Sequence, residues 1–223
     1  MAFLGVIEEN NLPTIIGARL KLVSGKISET DHLVIDGELH PLNPNMEGVP
    51  RAGLITALED SERVSRTKML ESANSYYEAI VQDNGDIGFF ADDCQHRENG
   101  GTTANYDENS GEEVNDDFLI FRKMKCGEQL STGVMSYITG INRRRFIAVD
   151  EEMGVVFVYS MFVHDGEPKV QQIIGVPDVI EKQNPWGAFD LPAAHVFKIK
   201  NGLIHEIEAI GYIVEHGIKN GWE

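Results

Sequence analysis

The stretch "FFADDCQHRENGG" combines carboxylates, an imidazole and a thiol with the residue types of a β-strand. A strand has a side-chain period of two, so alternate residues share a face. One face holds Phe90, Asp92, Cys94, His96 and Glu98. A carboxylate that faces an apolar interior loses hydration, which raises its pKa and makes it a usable general base. Glu98 is therefore our candidate base, with His96 as the alternative.

The stretch "AAHVFKIK" places His195 and Phe197 on the apolar face of a second strand, while Lys198 points to the other side. An imidazole on that face could donate a hydrogen bond to, or protonate, the oxyanion that forms when a base removes a proton. Plainer roles stay open. Glu98 could bond the loop backbone at "ENGG", and His195 could be a structural core histidine.

Other side chains are candidates for the same site. Alternation in "NRRRFIAVDEE" puts Arg144 and Asp150 on one face, so either could enter the pocket, although a solvated basic strand start is the plainer reading. Further candidates for substrate contact are aromatic residues or the thiol. They are Phe90, Cys94, Tyr159, Phe197 and Trp186.

Known cofactor signatures are not found in the sequence. The 7 histidines are scattered, without the HxxxH or CxxC spacing of zinc sites. The chain also contains no phosphate-binding glycine loop, nucleophile elbow or dinucleotide fingerprint. We therefore predict proton-transfer chemistry with no cofactor and no metal.

The composition limits the partners. With 36 acidic against 19 basic residues, the net charge of −17 disfavours nucleic acid and anionic membranes, which bind through Lys and Arg. No apolar run approaches the roughly 18 residues of a membrane span. The start "MAFLGVIEENNLP" lacks a basic region before Glu8 and Glu9, unlike a signal peptide. We expect a cytoplasmic, reduced protein with a small-molecule substrate, and leave open whether Cys94 and Cys126 pair.

The element order predicts an α+β fold, with helices covering one face of a curved antiparallel sheet. Strands are predicted near the N-terminus, around 90–98 and in the C-terminal third, and helices over 54–81, with a break at Asp60-Ser61, and within 118–141. The Asn201-Gly202 turn predicts a hairpin between the last two strands. The acidic segment 102–117 is interpreted as a solvated loop. Residues 1–50 are predicted to form a β-hairpin extension with a linker, and 51–223 the main domain.

The N-terminal segment "NLPTIIGARLKLVSGKISETDHLVI" echoes the C-terminal "DLPAAHVFKIKNGLIHEIEAIGYI". At the position that corresponds to His195, the N-terminal copy has Gly17, which has no reactive side chain. We predict that this copy is an extra β-ribbon that pairs with the edge of the main sheet or with a neighbouring subunit.

The segment "SYYEAIVQDNGDIGFFADDCQHRENGG" and the final "HVFKIKNGLIHEIEA" resemble the NTF2-like (SnoaL-like) superfamily of cone-shaped α+β barrels. This superfamily includes ketosteroid isomerase, scytalone dehydratase, limonene epoxide hydrolase and polyketide cyclases. The resemblance covers roughly residues 65–213 and implies a curved antiparallel sheet wrapped on helices, here with an extra N-terminal β-hairpin. It also implies a homo-oligomer, a dimer or a trimer.

The ketosteroid isomerase pattern implies specific roles for three positions. The general base falls at Glu98, the helical tyrosine that donates to the oxyanion falls at Tyr77, and the second donor falls at His195. Glu and His replace two aspartates of that pattern, which places steroid isomerisation in doubt. Tyr77 could instead be a core residue, with Tyr76 as the donor.

The function we predict is a cofactor-independent lyase that acts on a small, apolar, hydroxylated aromatic compound. The overall layout also resembles bacterial diarylpropane lyases, which implies deformylation or dehydration of a lignin-derived diarylpropane-type substrate. The alternatives are a ketosteroid-isomerase-like double-bond isomerase and a non-catalytic module for ligand binding or oligomerisation.

Overall fold

The structure, a computed structural model, describes residues 1–35, 42–46, 50–114 and 116–219. The strands are β1 (Ala2–Glu9), β2 (Leu12–Val23), β3 (Lys26–Ile35), β4 (Phe90–Glu98), β5 (Gly101–Ala104), β6 (Gly140–Asp150), β7 (Val155–His164), β8 (Val170–Gln172), β9 (Glu181–Gln183), β10 (Phe189–Lys200), β11 (Leu203–Gly211) and β12 (Val214–Glu215). The α-helices are α1 (Ala52–Ile55), α2 (Arg66–Val81), α3 (Leu119–Arg122) and α4 (Cys126–Leu130). The predicted α+β class is confirmed.

The main sheet has the strand order β5-β4-β11-β10-β7-β6, and β12 pairs with the start of β10. Neighbouring strands run antiparallel except β4 and β11, which are parallel. The main sheet was predicted to be antiparallel, but it is mixed at this pair. The Asn201-Gly202 hairpin reverses the chain after β10, so β11 runs in the same direction as its other neighbour, β4. Register shifts in several pairs mark β-bulges, which bend the strands and curve the sheet.

Helix α2 packs across one face of this sheet, which we call the inner face. Ser65 caps the helix, because its side chain accepts a hydrogen bond from the backbone N–H of Lys68. The helix therefore begins at Arg66. The predicted break at Asp60-Ser61 is present as a 3-10 turn at Asp60–Glu62, and the helical part before it is only the single turn α1. The buried face of α2 includes Tyr76 and Tyr77, which brings two aromatic side chains onto the inner face.

The helical prediction for residues 118–141 is only partly correct. Two single-turn helices, α3 and α4, occupy its first half, and turns lead from Leu130 to β6. Gly133 adopts a φ of +78°, the left-handed conformation in which helices commonly end. The turns place Met135, Tyr137 and Ile138 against the sheet.

The N-terminal strands form their own three-stranded sheet, in the order β1-β2-β3. This sheet packs face to face on the outer face of the main sheet. Ile15, Leu33 and Ile35 form one buried cluster there with Ile210 of β11. The prediction of edge pairing within the chain is therefore wrong. A Cβ at Gly17 would lie 2.9 Å from the Cβ of Ala194, so glycine at this position permits the close approach of the two sheets.

Cys94 and Cys126, whose pairing the sequence left open, form a disulfide. The inner face of β4 and the first residue of α4 bring the two Cα atoms within 6.0 Å, within the range that a disulfide spans. The bond ties β4 to α4. No helix among the described residues has the length and apolar character needed to cross a membrane.

Candidate functional site

His195 and Glu98 occupy the same row of the main sheet. His195 pairs with Ala209 across β10 and β11, and Ala209 pairs with Glu98 across β11 and β4. Residues that pair directly point to the same face, which here is the inner face. The methyl side chain of Ala209 leaves open the space between the imidazole and the carboxylate.

A cavity of about 100 Å³ lies over this row. Its floor consists of small residues, Ala193, Ala209 and Gly211, and Glu98 and His195 border it. Small residues in the middle of a sheet leave the void, and larger side chains from α2, the turns and the other strands enclose it. The enclosing side chains are those of Tyr76, Asn99, Met135, Tyr137, Ile138, Phe162 and Leu191.

The His195 imidazole lies between two phenylalanine rings. The Phe197 ring stacks on it at a centroid distance of 5.7 Å, and the Phe162 ring at 5.6 Å. Burial, together with the nearby His96, lowers the pKa of His195 to about 3. The imidazole is therefore neutral at neutral pH, and its Nδ1 has no hydrogen-bond partner among the described residues.

His96 connects Tyr76 to Glu98. Its Nε2 lies 3.5 Å from the Tyr76 hydroxyl and 3.6 Å from Oε1 of Glu98. Burial, together with the charge of Arg51, lowers the pKa of His96 to about 3. A neutral imidazole has one N–H donor and one acceptor nitrogen, so His96 can bond to only one of these neighbours as a donor.

Glu98 has the properties expected of a base at the mouth of a cavity. Burial by the surrounding protein raises the pKa of its carboxyl, and the Arg122 charge opposes this rise. The side chain is nevertheless 48% exposed, because one side of it faces the opening, and water there moderates the effect. The carboxylate can therefore take up a proton and still remain accessible to a substrate.

Tyr137 is a site residue that the sequence interpretation placed only in a helix. It borders the cavity, and its pKa is raised, first by burial and second by the Glu98 charge. His164 holds this turn in place, since its Nδ1 lies 2.6 Å from the backbone oxygen of Tyr137 and its Nε2 lies 3.1 Å from Nδ2 of Asn184. Trp186, 44% exposed, packs on Tyr137 at the rim with a centroid distance of 5.2 Å.

Tyr77 lies beside His195 but does not border the cavity. Its ring meets the His195 ring edge-on at 5.4 Å. Burial raises the pKa of Tyr77. Tyr76, the alternative, is the helical tyrosine that faces the cavity.

Arg144 and Asp150, for which the sequence left entry into the pocket open, do not border the cavity. Arg144 lies on the inner face with Phe146 but is directed toward α2, and the register shift between Phe146 and Ala148 breaks the alternation that placed Asp150 on the same face. Arg144 forms an ion pair with Glu78 and lies over the Tyr77 ring at 5.2 Å. Asp150 accepts hydrogen bonds from the backbone at the end of β6.

The remaining predicted residues lie around the cavity or away from it. Tyr159 points to the outer face, where its hydroxyl donates to the backbone oxygen of Gly17 at 2.8 Å. The Phe197 ring stacks on the His195 imidazole and does not border the cavity. Cys94 forms the disulfide with Cys126. Phe90 lies beside a much smaller void of about 10 Å³ next to His96.

The described residues contain no group of three or more His, Cys, Asp or Glu side chains placed to bind a metal ion. The missed residues Met135, Tyr137 and Leu191 carry no sequence signal of their own. Ala209 and Gly211 do carry one, since small residues interrupt an otherwise bulky strand beside the one that bears His195.

Residues 62–211 match a family described as a domain of unknown function, DUF8021. The chain belongs to this family. A comparison with curated proteins finds no significant match.

Several solved structures are similar in fold. A Jannaschia protein proposed to be a SnoaL-like polyketide cyclase is 10% identical, with a TM-score of 0.39 over 70% of this chain and 90% of the other. An NTF-2 like protein of unknown function from Burkholderia xenovorans is 13% identical, with a TM-score of 0.37 over the same shares. A protein of unknown function with a cystatin-like fold from Methylobium petroleophilum is 13% identical, with a TM-score of 0.39 over 72% and 85%. Identities this low carry no information about activity.

Proposed function

We propose that this protein is a cofactor-independent enzyme that transfers a proton on a small, largely apolar hydroxylated or carbonyl compound, with a lyase reaction as the leading candidate. One observation carries the proposal. A carboxylate with a raised pKa and a neutral imidazole lie in one row and border the same cavity, with Ala209 between them. A base opposite a hydrogen-bond donor is the minimal arrangement for forming and stabilising an oxyanion.

For a β-hydroxy carbonyl substrate, the proposed step starts at Glu98. The carboxylate takes the hydroxyl proton, the adjacent C–C bond breaks to leave a new carbonyl group, and the electron pair moves to the enolate oxygen. The neutral N–H of His195 and the Tyr76 hydroxyl would donate hydrogen bonds to that oxygen. Glu98 then returns the proton to carbon. With a pKa of about 3, His195 acts as a hydrogen-bond donor and not as the general acid that the sequence alone allowed.

The cavity limits the substrate. Its volume of about 100 Å³ is below the roughly 150 Å³ of an engineered apolar cavity that binds benzene. The cavity is therefore smaller than a benzene ring needs, and a monoaromatic substrate would extend from it toward the rim. A lignin-derived diarylpropane has two rings and would require the rim near Tyr137, Trp186 and Leu191 to open.

Two other functions use the same cavity. Double-bond isomerisation needs the same base and donors, with Glu98 moving the proton between two carbons. A non-catalytic ligand-binding role is favoured by the mostly apolar walls, including Met135, Ile138 and Phe162.

Proton exchange tests the proposal directly. The protein would be incubated in D₂O with a panel of small β-hydroxy ketones, enones and monoaromatic diols, and exchange or cleavage would be followed by NMR. We expect at least one compound to react, and the Glu98→Gln variant to bind it without catalysing the reaction. Binding without reaction in the unmodified protein would support the binding role, and unchanged turnover in Glu98→Gln would remove Glu98 as the base.

A further inference from the structure

The N-terminal sheet has a second face, which points away from the main sheet. Alternation along its strands directs Leu4, Ile15 and Leu33 toward the main sheet, so the residues between them point to the opposite side. We call that side the distal face. Its apolar residues are Phe3, Gly5, Ile7, Ile16, Ala18, Leu20, Leu22, Ile27 and Val34.

Large apolar side chains on the distal face are exposed to solvent. Phe3 is 49% exposed, Leu22 49% and Ile27 58%. The Phe3 ring lies over Gly5, since a Cβ at that glycine would be only 2.6 Å from Cζ of the ring. A contiguous exposed apolar surface of this kind indicates an interaction site.

The distal face is uncharged in a strongly acidic protein. Along the described strands β1–β3, no Asp, Glu, Lys or Arg alternates onto this face before Glu9, the last residue of β1. The whole chain has a net charge of −17, so two copies repel each other where their charged surfaces meet. An uncharged apolar face is where two copies can approach. The main sheet does not offer its outer face for this contact, because the N-terminal sheet covers it.

The two ends of the N-terminal sheet carry opposite charges. Glu8 and Glu9 end β1 beside the start of β2, whereas Lys26 begins β3 beside the end of β2. Near Lys26, Lys21 and Glu29 pair with each other and cancel. Strand β2 has 12 residues, so the two ends are roughly 40 Å apart and do not interact within one chain. Two such sheets stacked with their β2 strands antiparallel would bring the acidic end of each copy to the basic end of the other.

We propose that a second copy of this chain packs on the distal face, in a two-fold dimer whose N-terminal sheets stack face to face with their β2 strands antiparallel. In such an isologous interface both copies contribute the same residues. Strands of 8, 12 and 10 residues give the distal face an area of roughly 500 Å². The dimer would bury on the order of 1,000 Å² in total, which is enough for a specific interface. This inference does not depend on the proposed catalytic function.

Sedimentation velocity of the full chain over a range of protein concentrations tests the proposal. We expect a dimer, with twice the 24.8 kDa of one chain. Phe3→Glu and Ile16→Glu each place an unpaired carboxylate in the apolar interface, so each should raise the dissociation constant of the dimer about a hundredfold or more. Ile180→Glu, at a side chain that is 78% exposed outside the N-terminal sheet, is the matched control and should leave the constant unchanged. Circular dichroism and urea unfolding check that each variant stays folded.

Charge reversal tests the antiparallel arrangement. Glu9→Lys should weaken the dimer about fivefold, because the new lysine would lie near Lys26 of the second copy. Adding Lys26→Glu should restore the affinity, although the two positions do not interact within one chain. Four results would overturn the proposal: a monomer at every concentration, a mass other than that of a dimer, an unchanged dissociation constant in a folded Phe3→Glu or Ile16→Glu variant, or no recovery in the double reversal.

Discussion

His195 and Glu98 lie in one row of the main sheet, with Ala209 as the only residue between them. Neighbouring strands are about 4.8 Å apart, so two strand spacings place the two backbones roughly 10 Å apart. Side chains that extend from the same face of two backbones this far apart leave room for a few ligand atoms between them. The size of residue 209 therefore decides whether a substrate can enter.

Ala209→Leu should fill the cavity. We expect the affinity for any ligand of this cavity to fall at least tenfold, because the added carbons would occupy the space between His195 and Glu98. Overpacking should cost about 1–3 kcal/mol of unfolding free energy, which leaves the protein folded. The matched control is Ala148→Leu, on the outer-face side of the sheet. Calorimetry and urea unfolding measure the two effects, and an unchanged ligand affinity in Ala209→Leu would place the binding site elsewhere.

Glu98→Gln should reduce turnover by about 10²–10⁴-fold, the usual contribution of a general base. Because burial raises the pKa of the Glu98 carboxyl, kcat/KM should increase with pH across a pKa above the ordinary value for glutamate. Above that pKa the carboxylate form is complete and the rate should level off. The pH–rate profile on the substrate found by proton exchange measures this. A profile that falls with rising pH through the same range would contradict the assignment of a carboxylate base.

The stability of the protein should depend on pH through His96 and His195. Burial lowers both pKa values to about 3, from 6.5 in the unfolded chain. Between these values the unfolded state binds more protons, so the free energy of unfolding should rise with pH from about 3 to 6.5, and this stability is lost as the pH falls. The raised pKa of Glu98 acts in the opposite direction. Its carboxyl contributes less to the free energy of unfolding as the pH rises above the pKa that glutamate has in the unfolded chain.

The His195→Phe variant measures how much of this pH dependence of the unfolding free energy comes from the His195 imidazole. A phenyl ring fits between Phe162 and Phe197 and cannot titrate, so the slope of unfolding free energy against pH should decrease. His32→Phe, at an exposed position on β3, is the control that should keep the slope. Urea unfolding at several pH values provides the measurement, and an unchanged slope in His195→Phe would show that His195 is not buried as a neutral group.

Local sequence patterns predicted which face of the sheet several of these residues occupy. The period of two on β4 and β10 placed Glu98, His96 and His195 on the inner face, since both strands keep that alternation across these residues. The same rule failed for Asp150, because the register shift between Phe146 and Ala148 changes which face the later residues of β6 occupy. A bulge depends on the pairing with β7, and a single strand sequence does not show it.

Long-range packing explains the other differences. Tyr137 reaches the cavity through turns that His164 holds from a distant strand, so no local period could predict it. The N-terminal ribbon was predicted from its own alternation, but whether it pairs at an edge or packs on a face depends on Gly17 and Ala194 lying close together. The disulfide likewise depends on β4 and α4 meeting in space.

Removing the disulfide should destabilise the protein. Cys94 and Cys126 are 32 residues apart, and closing a loop of this length stabilises a chain by about 3–4 kcal/mol in the chain-entropy description. The double variant Cys94→Ala/Cys126→Ala should lose about this amount in urea unfolding. The unmodified protein should lose a similar amount on reduction, whereas the reductant should not affect the variant. Equal stability of the oxidised protein and the variant would indicate that the two thiols do not pair in solution.

The N-terminal sheet should stabilise the main sheet by covering its outer face. Ile15 is 2% exposed and belongs to the same buried cluster as Phe157 and Ile210, so Ile15→Ala should cost roughly 2–5 kcal/mol of unfolding free energy. Leu22→Ala, at a side chain that is 49% exposed on the adjoining part of β2, should cost much less. Urea unfolding compares the two variants. If they lose the same small amount, the ribbon does not pack on the main sheet, and a role in contacts between subunits, as the sequence alone allowed, becomes the better explanation.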